Sequence, residues 1–223
     1  MLKISHLTFS YRRHPALSGG GRTSVLRDVS FTLEAGRCLV VAGANGCGKS
    51  TLLALLSGAL SGADGSVRTD GETIGLVPQG FAVFDDMTVL DNIRFFAHLQ
   101  HKEVSRPLSF GLEPYAKKKA ALLSGGYKKR LCIACTAAAD PDIWLFDEPC
   151  ANLDIVWRDE MIRMVCALKD AGKGIVYVGH DPAEFVPFYD EILFLNREGS
   201  CVVPREQIAP GTEADLIRSR ING

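Results

Sequence analysis

The sequence predicts an α/β fold: a largely parallel sheet with helices on both faces, an antiparallel β segment before it and a short helical segment inserted in it. Three observations carry this. Short, almost wholly apolar runs at 38–42, 143–146 and 175–178 have the length and continuity of strands buried on both faces. Stretches with helical spacing separate them, as parallel neighbours require. The first run ends in the glycine-rich turn Gly43-Ala44-Asn45-Gly46-Cys47-Gly48-Lys49-Ser50-Thr51, which opens into the apolar, helix-like run Leu52-Leu53-Ala54-Leu55-Leu56.

Taken in order, residues 2–9 and 29–33 alternate like strands, with a turn-rich stretch, 18–23, between them. They are expected to pair antiparallel across a long connection. Glu34-Ala35-Gly36-Arg37 turns the chain into the strand before the glycine-rich loop. After the following helix, 58–65 is loop-like. Residues 66–69 and 73–77 suggest two short strands joined at Asp70-Gly71. Thr88 is placed to cap a helix reaching about His101, with Asp91 as its acidic partner. Residues 102–112 read as loop, and 113–123, with Lys117-Lys118-Lys119, as a solvated helix face. Ser124-Gly125-Gly126 opens a long helix over 127–139. The strand at 143–146 ends at Asp147-Glu148. Asp154 stands where it can cap the next helix, whose Trp157, Met161, Met164, Val165 and Leu168 form a core-facing stripe ended by Gly172. The strand at 175–178 ends at Gly179-His180-Asp181. Residues 192–195 and 201–203 form a closing hairpin, and the last residues are helical.

The chain has 223 residues, 47% hydrophobic, with a net charge of -1. That suits one domain over 1–223, with a helical lobe at about 85–138. The charge gives no footprint for nucleic acid and no polybasic membrane anchor. No apolar run approaches the roughly 18 to 20 residues that span a bilayer, and the start lacks a signal-peptide core. The expected setting is cytoplasmic. Seven cysteines, several in apolar runs, fit it. Cys132-Ile133-Ala134-Cys135 has the C-x-x-C form, but it lacks a second pair and lies in a helix-like run, which favours core packing over zinc or redox chemistry.

The turn from Gly43 to Ser50 fits G-x-x-x-x-G-K-[ST], the phosphate-binding P-loop. Gly43, Gly46 and Gly48 are expected to allow positive φ and close approach to a phosphate. Successive N–H groups and the helix dipole make an anion nest. Lys49 adds a positive charge at the β- and γ-phosphates, and Ser50 a hydroxyl for Mg²⁺. Asp147, directly after an apolar strand, is the expected Mg²⁺ partner, and Glu148 beside it can orient and deprotonate an attacking water. In open α/β sheets, residues just past the strand ends face the ligand, so Gly43, Asp147 and His180 converge.

With these motifs in hand, the chain resembles the ATP-binding subunits of ATP-binding-cassette (ABC) transporters over nearly its whole length. Leu123-Ser124-Gly125-Gly126 resembles their signature motif, which P-loop proteins at large lack. The resemblance implies a P-loop NTPase core of ABC ATPase type with an N-terminal antiparallel β subdomain and a short helical subdomain. It implies ATP and Mg²⁺ as cofactors. Two subunits, identical or paralogous, would meet head to tail, each ATP lying between one chain's P-loop (Gly43, Asn45, Gly46, Cys47, Gly48, Lys49, Ser50, Thr51) and the other's Ser124, Gly125 and Gly126. Gln79 matches the Q-loop glutamine, which contacts Mg²⁺ or the water and senses the transmembrane partner. Ala151-Asn152-Leu153-Asp154 resembles the D-loop, and His180 the switch histidine at the γ-phosphate. Tyr11 resembles the aromatic that stacks on adenine. The implied partner is a transmembrane permease, through which alone the chain meets the membrane; residues 79–92 would receive it, with Phe81, Val83 and Phe84 as apolar contacts or as lobe packing.

The departures are Tyr127 where the signature has glutamine, Cys150 at the start of the D-loop, and short segments at 67–79 and 91–124. The small lobe tilts the expected direction towards export. Two other readings are a soluble assembly ATPase with no permease and a small-molecule P-loop kinase. The single P-loop and the missing heptad insertion exclude the tandem and chromosome-maintenance versions of the first. The second has no use for a signature motif.

Overall fold

A computed structural model describes residues 1–12, 22–101, 110–151, 155–179, 181–196 and 198–222. Two sheets form it. β1 (Leu2–Arg12) lies between β2 (Arg22–Leu33) and β4 (Asp64–Thr69), antiparallel to both. The second sheet has the order β5-β6-β7-β3-β8-β9. Its members are β3 (Cys38–Ala42), β5 (Ile74–Val77), β6 (Ile143–Asp147), β7 (Gly174–Val178), β8 (Glu191–Leu195) and β9 (Ser200–Pro204). All its pairings are parallel except the closing β8–β9 hairpin.

Alternation along the central strands divides the core. Leu39, Val41, Leu145, Val176 and Leu193 face the antiparallel sheet and α1 (Lys49–Leu56). Val40, Phe146, Ile175, Tyr177 and Ile192 face the opposite layer, where α4 (Ile155–Asp170) contributes Trp157, Met161 and Val165, and α6 (Glu213–Asn222) contributes Ile217. Strands clad on both sides in this way carry the continuous apolar runs seen in the sequence. Met164 and Leu168 complete the stripe of α4 at partial burial. Gly172, at φ 80°, ends that helix as expected. The short α5 (Pro182–Phe185) follows β7.

A third, smaller core holds the helical lobe: α2 (Val89–Leu99), two 3-10 turns (Glu113–Tyr115 and Ala120–Leu122) and α3 (Gly125–Ala138). The Thr88 cap forms as expected. Its hydroxyl accepts from the Asp91 N–H at 3.1 Å and donates to the Asp91 carboxylate at 2.6 Å. Asn92, fully buried, locks the preceding turn. Its amide accepts from the Phe84 N–H and donates to the Phe84 and Thr88 carbonyls.

Three expectations are corrected. Strands 66–69 and 73–77 do not form a hairpin: β4 joins the antiparallel sheet and β5 the parallel one, so Asp70-Gly71 moves the chain between sheets. The mostly exposed β4 completes an edge beside β1, whereas Gly75 in β5 has no room for a Cβ, which would stand 2.7 Å from Pro141 and Thr136. Residues 113–123 are 3-10 turns rather than a helix, and Lys119 bridges back to Thr88. Helix α2 stops at Leu99, two residues short of His101. The turn-rich stretch at 18–23 falls mostly outside the described residues, as does most of 102–112.

Candidate functional site: a nucleotide cleft at the strand ends

The P-loop leaves β3 and enters α1. Gly46 (φ 77°) and Gly48 (φ 111°) take the left-handed conformation expected of them. Gly43 does not. It is needed for space: a Cβ there would lie 2.4 Å from the Leu195 carbonyl oxygen and 2.6 Å from the Cys47 Sγ. Gly48 is also hemmed in by Leu26 and Val25 of β2, so the antiparallel sheet props the loop from outside. Lys49 is buried, and its ammonium donates to the carbonyls of Gly43 at 2.8 Å and Ala44 at 3.2 Å. The loop is thus wrapped round its own cation.

Around it opens a cleft of about 500 Å³, lined by Asn45, Gly46, Gly48, Lys49, Ser50 and Thr51 and by Tyr11, Val25, Gln79 and Glu148. Five segments separated in sequence meet there. Tyr11 presents a half-exposed ring, set edge-on against Phe9 with centroids 4.9 Å apart, and its hydroxyl lies 3.3 Å from the Thr51 hydroxyl. Gln79 follows β5, and its amide Nε2 donates to the Glu148 carboxylate at 3.0 Å. Glu148 has φ 45°, and its N–H donates to the Val178 carbonyl, so the carboxylate leaves β6 in a fixed direction.

Asp147 is buried at the end of β6. Burial raises its pKa from the ordinary aspartate value. The Ser50 hydroxyl bound to it opposes the rise, Glu148 adds to it, and Lys49 and Lys129 oppose it. A buried carboxylate beside a serine hydroxyl is an all-oxygen donor set that suits Mg²⁺. Among the described residues no group of three or more histidine, cysteine or acidic side chains is placed to hold a metal. Cys132 and Cys135 are buried in α3 with both thiols pushed up by burial, as core residues.

The signature residues lie elsewhere. Ser124 is the N-cap residue of α3, exposed, and its side chain makes no cap hydrogen bond. Tyr127, in place of a glutamine, is turned into the lobe, 4.5 Å from Tyr115 and beside Arg130. The cleft is lined without Ser124, Gly125 or Gly126. His180, Asn152, Leu153 and Asp154 lie outside the described residues. Cys47 is buried behind the loop rather than lining the cleft. Sequence reasoning missed Val25, an ordinary aliphatic residue in an alternating strand, with no local signal of its place in the cleft.

A P-loop on a mixed sheet of this topology, facing a strand-end aspartate and glutamate, defines a nucleotide-hydrolysing α/β protein. Residues 26–151 match the family described as "ABC transporter". The taurine import ATP-binding protein TauB of Escherichia coli (strain K12) is 34% identical over 221 residues, covering 92% of this chain and 83% of that protein. TauB of Shigella sonnei (strain Ss046) matches to the same extent. Among solved structures, an ATP-binding subunit of an ABC transporter superposes with a TM-score of 0.83 at 20% identity, covering 100% of both chains. The dimeric cassette MJ0796 bound to ADP and Pi superposes at 0.78 and 23%, covering 94% of this chain and 100% of that one. The chain therefore belongs to the ABC transporter family as an ATP-binding subunit, an ATPase that uses ATP with Mg²⁺. None of its described helices is long and apolar enough to cross a membrane.

Proposed function

We propose that two copies of this chain, or this chain and a paralogue, close head to tail on two MgATP beneath a transmembrane permease and drive import. The convergence of Lys49, Ser50, Gln79 and Glu148 on one cleft, with Asp147 buried behind it and bonded to Ser50, supports this most directly. The short lobe favours export. The relatives bear the opposite name, taurine import, and at 34% identity over 92% of the chain they outweigh it. Cargo is selected by the permease, a separate chain.

In this reading the P-loop amides and Lys49 hold the phosphates, and Tyr11 offers its ring to adenine. Ser50 and Asp147 would hold the metal, and Gln79 would contact the metal or the water. Bound Mg²⁺ supplies charge neutralisation at the β- and γ-phosphates. Glu148, held by Gln79, accepts a proton from water as the water oxygen bonds to the γ-phosphorus. The bond to the β–γ bridging oxygen breaks, leaving ADP and phosphate. The roles of His180 at the γ-phosphate and Asp154 across the interface rest on the resemblance of their motifs to those of the family. Catalysis is mostly positioning and charge complementarity.

The second copy supplies Ser124, Gly125 and Gly126 at the N-terminus of α3, where the Ser124 side chain makes no cap hydrogen bond, as an anion site. Ser124→Arg fills that site, so the variant is expected to bind ATP yet remain a monomer in size-exclusion chromatography with MgATP. An ATP-induced dimer in that variant counts against the head-to-tail arrangement.

Phe81, Phe84 and Phe95 are large apolar side chains left partly exposed beside the turn after β5. Phe84 meets Phe95 at 5.0 Å, edge to face. Val83 instead packs on the lobe core, which separates it from the docking candidates. Phe84→Asp is expected to reduce capture of the permease by roughly tenfold or more, as loss of a buried aromatic anchor does. Undiminished capture would move the docking surface elsewhere. The broader test is a pull-down of tagged Glu148→Gln from detergent-solubilised membranes with MgATP. A polytopic membrane protein is the expected companion, and ATP-driven uptake by cells carrying the pair is the expected direction. Soluble partners alone, with the chain absent from membranes, favour the assembly ATPase instead.

A further inference from the structure

Lys129 is the fifth residue of α3 and is 3% exposed. A buried ammonium is costly unless several acceptors surround it. Here they are three consecutive carbonyls of the turn after β5: Pro78 at 2.8 Å, Gln79 at 2.8 Å and Gly80 at 3.4 Å. The same ammonium lies 5.8 Å from the centroid of the Phe81 ring, and that ring rests near Gly125, the first residue of α3. Carbonyls converging in one tight turn repel one another, and a single cation satisfies all three at once. Burial lowers the Lys129 pKa from its ordinary value, while Cys132, Asp147 and Cys150 oppose that. The turn so fastened carries Gln79, whose amide donates to Glu148 at 3.0 Å. The helix that fastens it carries the signature residues at its N-terminus.

We propose that Lys129 is a positioning residue that ties the Gln79 turn to the signature helix, holding the Gln79 amide against Glu148 and making the two segments move as one body. The role rests on the reading of Gln79 and Glu148 as ATP-site residues. It predicts that a pull on Phe81 from a docked partner reaches the signature end of α3 and the catalytic carboxylate together.

The test is a double-mutant cycle on the ATPase rate of the full chain, using Lys129→Met, Gln79→Ala and the pair. Lys129→Met is expected to lower kcat about tenfold while KM for ATP stays within about twofold, the pattern of an interaction felt in the transition state. Added to Gln79→Ala, it is expected to cost little more, because residues acting through one contact are not additive. Fully additive losses overturn the proposal, as does a Lys129→Met enzyme with wild-type kcat. Gln79→Ala at the wild-type rate overturns the underlying reading instead, and the two failures are distinguishable. If Lys129→Met does not fold, as circular dichroism reports, the same cycle is run with Lys129→Gln, whose amide keeps donors for the carbonyls. Non-additivity is expected there too, and additivity is decisive against the role.

Discussion

Replacing Glu148 by glutamine is expected to lower ATP hydrolysis by roughly a hundredfold or more, the usual effect of removing a general base, while ATP binding persists. The geometry explains the split. Glu148 reaches the cleft from a backbone pinned to Val178, and its carboxylate accepts a hydrogen bond from the Gln79 amide. A glutamine keeps the shape and one oxygen acceptor, so the pairing with Gln79 survives. It cannot take a proton from water at pH 7. ATP then binds, the two copies close and the cycle stops. Size-exclusion chromatography with MgATP should show a dimer that the wild-type chain does not accumulate. Hydrolysis at the wild-type rate would falsify the assignment of the base. Loss of ATP binding would mean that the carboxylate serves affinity instead.

Lys49→Ala is expected to act one step earlier. The ammonium is buried and now bonded to the Gly43 and Ala44 carbonyls. When phosphate enters the nest, the charge exchanges those carbonyls for phosphate oxygens. Its removal deletes a charge-assisted hydrogen bond, worth about 1.5–3 kcal/mol, and also the cation round which the loop is wrapped. ATP affinity should therefore fall by about tenfold to a hundredfold or more, read by calorimetric titration, with the circular dichroism spectrum unchanged. Affinity within about twofold of wild type would place the ammonium away from the phosphates. The two variants thus separate binding from hydrolysis.

How much of this was legible in the sequence depends on whether the signal was local. The P-loop, the strand-end Asp147 and Glu148, the Thr88 cap and the Gly172 stop are each written in a few adjacent residues. The physics that fixes them, φ preference, capping and strand burial, acts over the same few residues. Partner choice between strands does not. Ser66-Val67-Arg68-Thr69 and Ile74-Gly75-Leu76-Val77 look alike as neighbours, yet one completes an edge beside β1 and the other lies beside β6, because the space at Gly75 is set by Pro141 and Thr136. The same limit hid three residues of consequence. Val25 reads as one more strand aliphatic, Asn92 as a polar helix residue, and Lys129 as one basic residue among three. Val25 and Lys129 acquire their roles from segments tens of residues away, and Asn92 from the turn at Phe84, eight residues before it. Gly43 was legible for the wrong reason. Its motif demands glycine, but the demand comes from the Leu195 carbonyl rather than from φ.

The bare N-terminus of α3 has a consequence for how this chain behaves in number. On the proposed head-to-tail closure, a cleft lined without Ser124, Gly125 and Gly126 is half of a binding site, and its other half belongs to a second copy. Tight retention of ATP is then a second-order property that rises with the concentration of the chain itself. Dilute copies hold nucleotide loosely and idle. A permease offering two seats side by side raises the local concentration of one copy at the other to the millimolar range, as a short tether does. In the proposed assembly the membrane partner acts as a concentrator, and fuel is spent chiefly where there is cargo to move.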